Sequence, residues 1–192
     1  MKLSKKGEYA LRSLIILGIA GELERGLVQV SELARDEQLP VKFLEQILHT
    51  LKEAGVLSSV RGKFGGYRLA RPASKITIGE IVRLVDGPLA PIRCVSQTAY
   101  ESCSCPDEDH CGLRMLMLDV RNAIAGILDR YTLADVVEIT LRRRRSDRLP
   151  IPFSPEARIG ATPRRARRTG RAPQGASESD GLLHHLLGDF TI

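Results

Sequence analysis

The residues from Val30 to Leu69, VSELARDEQLPVKFLEQILHTLKEAGVLSSVRGKFGGYRL, constrain the chain most, because they hold two short amphipathic helices followed by a hairpin with a basic, glycine-rich tip. Ser31 stands before ELARDEQ as a helix cap, with Leu33 and Ala34 marking the inner face. The fixed φ of Pro40 suits the first position of the next helix, which leaves Gln38-Leu39 as the turn between the two. Phe43, Leu44, Ile47, Leu48 and Leu51 then recur at threes and fours, the apolar face of a helix from Pro40 to Ala54. The opposite face offers Lys42, Glu45, Gln46, His49, Thr50 and Lys52, side chains that reach phosphates and base edges. Gly55 ends this helix by taking a left-handed conformation at little cost. Val56 to Val60 and Tyr67 to Ala70 are β-prone, with RGKFGG as the turn between them. Arg61, Lys63, Arg68 and Arg71 fall in this hairpin with no acid among them, so its tip suits a phosphate backbone. An ordinary hairpin with solvated cations is the competing reading, and the company of a helix-turn-helix disfavours it. The predicted fold is mainly α with a small β-hairpin: a winged helix-turn-helix domain plus a long dimerisation helix.

The flanking segments complete that outline. Ser4 caps a first helix in which Tyr9, Leu11, Leu14, Ile15, Leu17 and Ile19 are spread nearly all round, so it is expected to be buried. Val28 to Val30 can supply a short extended segment. Thr77 and Glu80 have capping-box spacing ahead of Ile81, Val82, Leu84 and Val85, and Gly87-Pro88 closes that helix near Asp86. From Leu113 the apolar positions Met117, Val120, Ile124, Ile127 and Tyr131 follow at alternating fours and threes, the spacing of a coiled-coil seam widened by Leu116, Ala123 and Leu128. Such a stripe must be covered by its own domain or by a second copy. The second copy is favoured, since two-fold dimers match paired DNA half-sites. Thr132 and Asp135 repeat the capping pattern before Val136, Val137, Ile139 and Leu141.

The net charge of +6 is unevenly spread. Residues 1–72 carry 12 Lys/Arg against 8 Asp/Glu, residues 73–141 carry 6 against 10, and residues 142–192 carry 11 against 5. A basic head suits a polyanion. The last segment, with RRRRSDR and recurrent proline, is expected to be a disordered basic tail. A solvated tail is the favoured reading of it, ahead of added unspecific DNA affinity. No apolar run approaches the roughly 18 residues of a membrane span, and the N-terminal region lacks a signal-peptide pattern. A cytoplasmic protein with no membrane partner is therefore expected, with four cysteines that are reduced, metal-bound or redox-active. There is no nucleophile–base set and no phosphate-binding glycine loop, so the chain is not expected to be an enzyme. The boundaries implied are 1–88 for the DNA-binding domain, 89–111 for a cysteine loop, 112–141 for the dimerisation and closing helices, and 142–192 for the tail.

MKLSKKGEYALRSL, FLEQILHTLKEAGVLSSVRGKFGGYRLAR and ITIGEIVRLVDGPLAPIRC, in that order, resemble the bacterial winged-helix regulators that include IscR, NsrR and CymR. The resemblance covers roughly residues 1–141 and implies a homodimeric transcriptional regulator bound to a double-stranded DNA operator. It also implies an iron-sulfur cluster, with 2Fe-2S favoured over 4Fe-4S, held by three cysteines of the loop and a fourth ligand that varies. Cys94 and Cys111 match the first and last family cysteines. Cys105 has the usual spacing for the second, and Cys103 is an extra or alternative ligand. Arg114 stands where the IscR subgroup has its histidine ligand. That leaves Glu8, at the place of an acidic ligand from the partner subunit, level with Cys103, and His110 behind them. Thiolates are the soft donors that such clusters require. The same cysteines leave open a structural zinc, with the winged helix then a protein-interaction module, and a metal-free thiol switch.

Overall fold

The computed structural model describes residues 2–154, so the expectation of disorder for the tail beyond residue 154 lies outside the described residues. Among the described residues the helices are α1 (Lys5–Glu22), α2 (Val30–Glu37), α3 (Val41–Glu53), α4 (Ile78–Asp86), α5 (Gly112–Arg130) and α6 (Leu133–Ser146). Between α3 and α4 lies a two-stranded antiparallel hairpin, β1 (Leu57–Val60) and β2 (Gly66–Leu69). The mainly helical, winged helix-turn-helix fold expected from the sequence is thus the one formed.

Helix α1 is the hub. Ser4 caps it, accepting from the Gly7 amide at 3.0 Å, and the buried Ala10, Leu14, Leu17 and Ile19 meet α3, α4, α6 and β2 around its axis. Leu44, Ile47, Leu48 and Leu51 of α3 are completely buried against it. Each such side chain contributes about 1.5–3 kcal/mol relative to exposure, so this layer fixes where the outer face of α3 points. Asp86, at the end of α4, takes hydrogen bonds from both the amide (2.8 Å) and the hydroxyl of Ser4. The carboxylate thereby closes α4 onto the positive end of α1.

Three local expectations at helix starts are corrected, two of them by contacts outside the helix itself. Helix α2 begins at Val30 with Gln29 in the cap position, and Ser31 is an exposed residue of its first turn. Val28 is drawn out to pair with Tyr67, through bonds of 3.0 and 2.9 Å, which sets the chain direction earlier than the serine suggests. Pro40 is the extended cap residue of α3, one place before the position predicted for it. Glu80 does not complete a capping box, because its carboxylate is taken by Arg71; Thr77 alone caps α4, at 3.2 Å. At α6 the full box forms, Thr132 with Asp135. That helix runs on through Arg142 to Ser146, past the predicted boundary at 141, with its arginines in the last turn, where the helix dipole favours cations.

The wing is a two-stranded hairpin with one added bridge. Leu57 pairs with Leu69 and Val60 with Gly66, while Val28 adds a bridge to Tyr67 on the other side of β2. Gly66 is required there, since a Cβ would lie 2.6 Å from the Val28 carbonyl oxygen and 2.8 Å from its carbon, both unyielding backbone atoms. Gly66→Ala is expected to open the Val28–Tyr67 bridge and cost about 1–3 kcal/mol. Gly26→Ala, where a Cβ meets nothing within 4 Å, is the control expected to stay within about 0.5 kcal/mol. Paired thermal melts decide between the two.

Helix α5 is the exception to the packing. Across 19 residues none is buried, and Leu113, Met115, Leu116 and Ile127 are 45–58% exposed. Its attachment to the domain is mainly through α4 and the short helical turn at Arg93–Val95, fastened by a two-pronged ion pair from Arg83 to Asp129 at 2.6 Å on each prong.

Candidate DNA interface and cysteine cavity

Two clusters of functional side chains emerge. The first lies on α3 and the wing. Lys42, Gln46 and His49, at helical spacing, share the exposed face of α3. His49 shares an open groove of about 470 Å³ with Arg61 and Lys63 of the wing turn, together with Ser31, Lys52 and Ser59. The Gln29 side chain donates to the Lys63 carbonyl at 3.0 Å and so braces the tip against the start of α2. Arg68 stands apart from this groove. Its guanidinium donates to Ser58 at 3.2 Å, and it borders a second hollow with Arg25, Val28 and Tyr67. Phe64, which the sequence pattern passes over, projects from the wing tip 84% exposed, with the Lys63 ammonium 5.7 Å from its ring centre. The signal available for it is an aromatic in a chain with only four phenylalanines, placed at the centre of a glycine-rich turn.

The second cluster gathers all four cysteines around one cavity of about 360 Å³, which Arg93, Glu101, Leu113 and Arg114 also border. Cys94 lies in the short helical turn after α4 and is buried; Cys103 is half-buried, Cys105 exposed, and Cys111 occupies the cap position of α5. All four thiols are free. Burial, followed by the neighbouring Cys103, pushes the Cys94 thiol above its ordinary value. A hydrogen bond with Cys103, then burial and the adjacent Cys111, push Cys105 up to about 12. The thiols therefore form a contiguous run from Cys94 through Cys103 and Cys105 to Cys111. The loop is held shut by Arg93 with Glu101, by Tyr100 donating to Glu108 at 2.9 Å, and by Glu108 with Arg114 at 3.2 Å.

The donor set of this cavity, four soft thiols around one space, fits an iron-sulfur cluster or zinc in chemistry. Among the described residues no three such side chains stand as a ready-made cage, so a metal would draw the loop inward. Glu8 does not border the cavity within one chain; it is held on α1 by Lys5 at 2.6 Å and Arg12 at 3.5 Å, and the Lys5 hydrogen bond keeps its carboxyl below the usual range. His110 is also absent from the cavity lining and is bonded to Asp107 at 2.7 Å. Arg114 is engaged with Glu108 and has no free pair to donate to a metal. No described helix is long and apolar enough to cross a membrane.

Comparison with known proteins agrees with this architecture. A profile of the Rrf2 family, described as iron-dependent transcriptional regulator, matches residues 3–139. A Rhodobacter capsulatus protein named as an rrf2-like HTH-type transcriptional regulator is 38% identical over 139 residues, 70% of this chain and 91% of its own length. The HTH-type transcriptional regulator IscR of Escherichia coli is 32% identical over 137 residues, 71% of this chain and 80% of its own. The solved structure of CymR, the global cysteine regulator of Bacillus subtilis, superposes with a TM-score of 0.61 at 31% identity, covering 72% of this chain and 98% of that one. The relatives are named as HTH-type transcriptional regulators, not enzymes, and the helix-turn-helix described above is in keeping with them: this chain belongs to the Rrf2 family of transcriptional regulators.

Proposed function

We propose that two copies of this cytoplasmic chain pair through α5 and read a partly palindromic operator, and that an iron-sulfur cluster, 2Fe-2S in preference to 4Fe-4S, sets the spacing of the two heads. The observation that carries this reading is the position of Cys111. It lines the cysteine cavity and also occupies the residue position that begins α5, the helix whose apolar stripe lacks cover in one chain. Anything bound by the thiols acts on the first turn of that helix.

In this reading α3 enters the major groove with Gln46 and His49 facing base edges and Lys42 on the phosphates. Two heads related by a two-fold axis meet half-sites about 34–36 Å apart. Arg61 and Lys63 follow the backbone beside the groove, Arg68 supports them, and Phe64 supplies an apolar tip able to wedge at a minor-groove step. Cys94, Cys105 and Cys111 hold the cluster, with Cys103 or Glu8 of the second copy as fourth ligand. The cluster supplies a centre whose charge and ligation respond to redox and iron status. The chain's own part is mechanical: α5 is fastened to α4 by Arg83–Asp129, and α4 to α1 by Asp86–Ser4, so a shift of α5 reaches the DNA-reading domain through two polar joints. Such a shift biases the population of DNA-competent dimers.

Selection of bound sequences from a random duplex library, followed by gel shift, tests the reading. A recovered site with two-fold symmetry supports it, and sequence-blind binding alone rejects it. On that site the double substitution Arg61→Ala/Lys63→Ala is expected to weaken binding about tenfold or more. It should also lower the log–log salt slope by up to about 4, roughly one unit for each phosphate that the two copies no longer neutralise. An unchanged slope removes the wing from the interface.

A cluster-free thiol switch is the second reading. The adjacency of Cys94 to Cys103 favours it, as does the likeness to the cysteine regulator CymR. Iron and zinc analysis beside a visible absorption spectrum separates the two.

A further inference from the structure

Helix α2 has eight residues, of which only Leu33 and Ala34 are buried, so it is too short to stand on its own hydrogen bonds and depends on what pins its ends. Two arginines from outside the helix do so. At its end Arg12 of α1 donates to the Glu37 carboxylate and carbonyl, each at 2.7 Å, with its guanidinium 5.7 Å from the centre of the Tyr9 ring. At its start Arg25, in the turn after α1, donates from one nitrogen to both oxygens of Glu32, at 2.8 and 2.6 Å. The aromatic behind this second pin comes from the far end of the described chain. After α6 the Leu149 amide donates to the Arg144 carbonyl at 2.8 Å and the Arg144 side chain to the Pro150 carbonyl at 2.7 Å, so the chain turns back on itself. Ile151 and Phe153 then pack against the hydrophobic core, and the Arg25 guanidinium lies 4.4 Å from the centre of the Phe153 ring. A cation over a ring face is attracted by the π-electrons and shielded from water on that side. Phe153 takes this place with φ at 68°, a left-handed conformation that disfavours a side chain with a Cβ, so the contacts of the ring hold a backbone that would not adopt it alone.

We propose that the strap from Asp147 to Ser154 is a positioning element for DNA reading, in which Phe153 holds Arg25 on Glu32 and so sets the first turn of α2 against the wing. The inference rests on the operator-binding reading above and adds to it side chains that act without touching the duplex. The start of α2 matters because its neighbours build the groove. Gln29 donates to the Lys63 carbonyl at 3.0 Å, and Gln29, Val30 and Ser31 line the groove with His49, Arg61 and Lys63. Glu32 follows Ser31 directly, yet it is absent from that lining, being held by Arg25. Released from Arg25, it brings an uncompensated acid to the edge of a surface that meets phosphates, and it lets the start of the helix shift. The consequence falls on the alignment of α3 with the wing, which sets sequence preference, and leaves the number of neutralised phosphates as it is.

The test compares the full chain carrying Phe153→Leu, Phe153→Tyr or Arg25→Gln with the wild type, on the selected operator and on a random-sequence duplex across a salt series, at a temperature where circular dichroism shows each protein folded. Phe153→Leu keeps apolar bulk and removes the ring face. It is expected to lower the operator-to-random affinity ratio about three- to tenfold, with the salt slope unchanged within about 0.5 unit. Phe153→Tyr, which keeps the ring, is expected to hold the ratio within about twofold of the wild type. Arg25→Gln should lower the ratio at least as much as Phe153→Leu, and the two together little further, because both act through one pin. Amide exchange gives a readout without DNA. In Phe153→Leu the Glu32 and Leu33 amides, both bonded to the Gln29 carbonyl at 3.1 Å, should exchange about tenfold faster while the α3 amides stay as slow as in the wild type. A lower melting temperature with ratio and exchange pattern unchanged makes the strap merely structural and overturns the proposal. So does a slope drop of about one unit or more in Arg25→Gln, which makes Arg25 a phosphate contact. Should Phe153→Leu not fold, Arg25→Gln decides on the same two readouts. Wild-type protein that prefers no sequence overturns the operator reading instead, before any residue is changed, and the exchange measurement still decides whether the strap holds α2.

Discussion

Leu116→Asp together with Ile127→Asp is expected to leave the chain monomeric, abolishing the pairing through α5 proposed above, and to weaken operator binding by about 100-fold or more. Both side chains stand on α5, 56% and 45% exposed in the single chain, so the substitutions leave the winged domain's core untouched and the monomer should fold. In the proposed dimer the same positions would sit in an apolar seam, where four introduced carboxylates, two per chain, would repel one another and lack partners. The loss in DNA affinity follows from valency. One head holding a half-site forfeits the effective concentration by which the second head binds, a factor of about 10² to 10⁴ when linkage is short and well matched. Sedimentation velocity gives the oligomeric state and a gel shift gives the affinity. A double variant that stays dimeric with wild-type affinity places the subunit contact elsewhere.

The parts of the fold legible in the sequence are those that depend on neighbours within a turn or two. Ser4, Thr77 and the Thr132–Asp135 box act as caps, and Gly55 and Gly87 end their helices with positive φ. These are interactions between residues a few positions apart, and the periodicity of α3 is likewise local. The features that local pattern does not reveal are those the chain makes at a distance. Ser31 loses the cap position because Val28 is claimed by Tyr67 and Gln29 by Lys63, both more than thirty residues away. Glu80 leaves its capping box for Arg71. The return of Ile151 and Phe153 to the core is invisible in a proline- and arginine-rich stretch, because composition there argues for solvent and only the Arg25 partner argues against it.

At the site the same division holds. Spacing alone makes Cys103 and Cys105 competing ligands, whereas the fold sets both on one cavity with Cys94 and Cys111. Glu8 and His110, which chemistry admits as ligands, are engaged elsewhere within the chain, by Lys5 and by Asp107. Choosing among fourth ligands therefore turns on the second copy for Glu8 and on loop movement for Cys103.

Cys111→Ser and Cys94→Ser are each expected to abolish the visible absorption of anaerobically purified protein and to bring bound iron close to zero, because neither end of the thiol run has a substitute. Cys105→Ser should do the same. Cys103→Ser should keep the colour if Glu8 of the second copy completes the site, and lose it if Cys103 does. The raised thiols add a pH signature. In the metal-free fold Cys94 and Cys105 favour the protonated form, so the stability they contribute is fully present below the ordinary thiol value of 9.0 and is lost as pH rises toward about 12 at Cys105. Metal ligation runs the other way, since each ligand must give up its proton. Iron loading should therefore release protons and strengthen as pH rises from about 6 to about 8, while the metal-free protein melts at a lower temperature above about pH 9. Wild-type protein that is colourless and iron-free rejects the cluster. In that event a peroxide-induced disulfide between Cys94 and Cys103, read by mass spectrometry without reductant, would assign the same cavity to thiol chemistry.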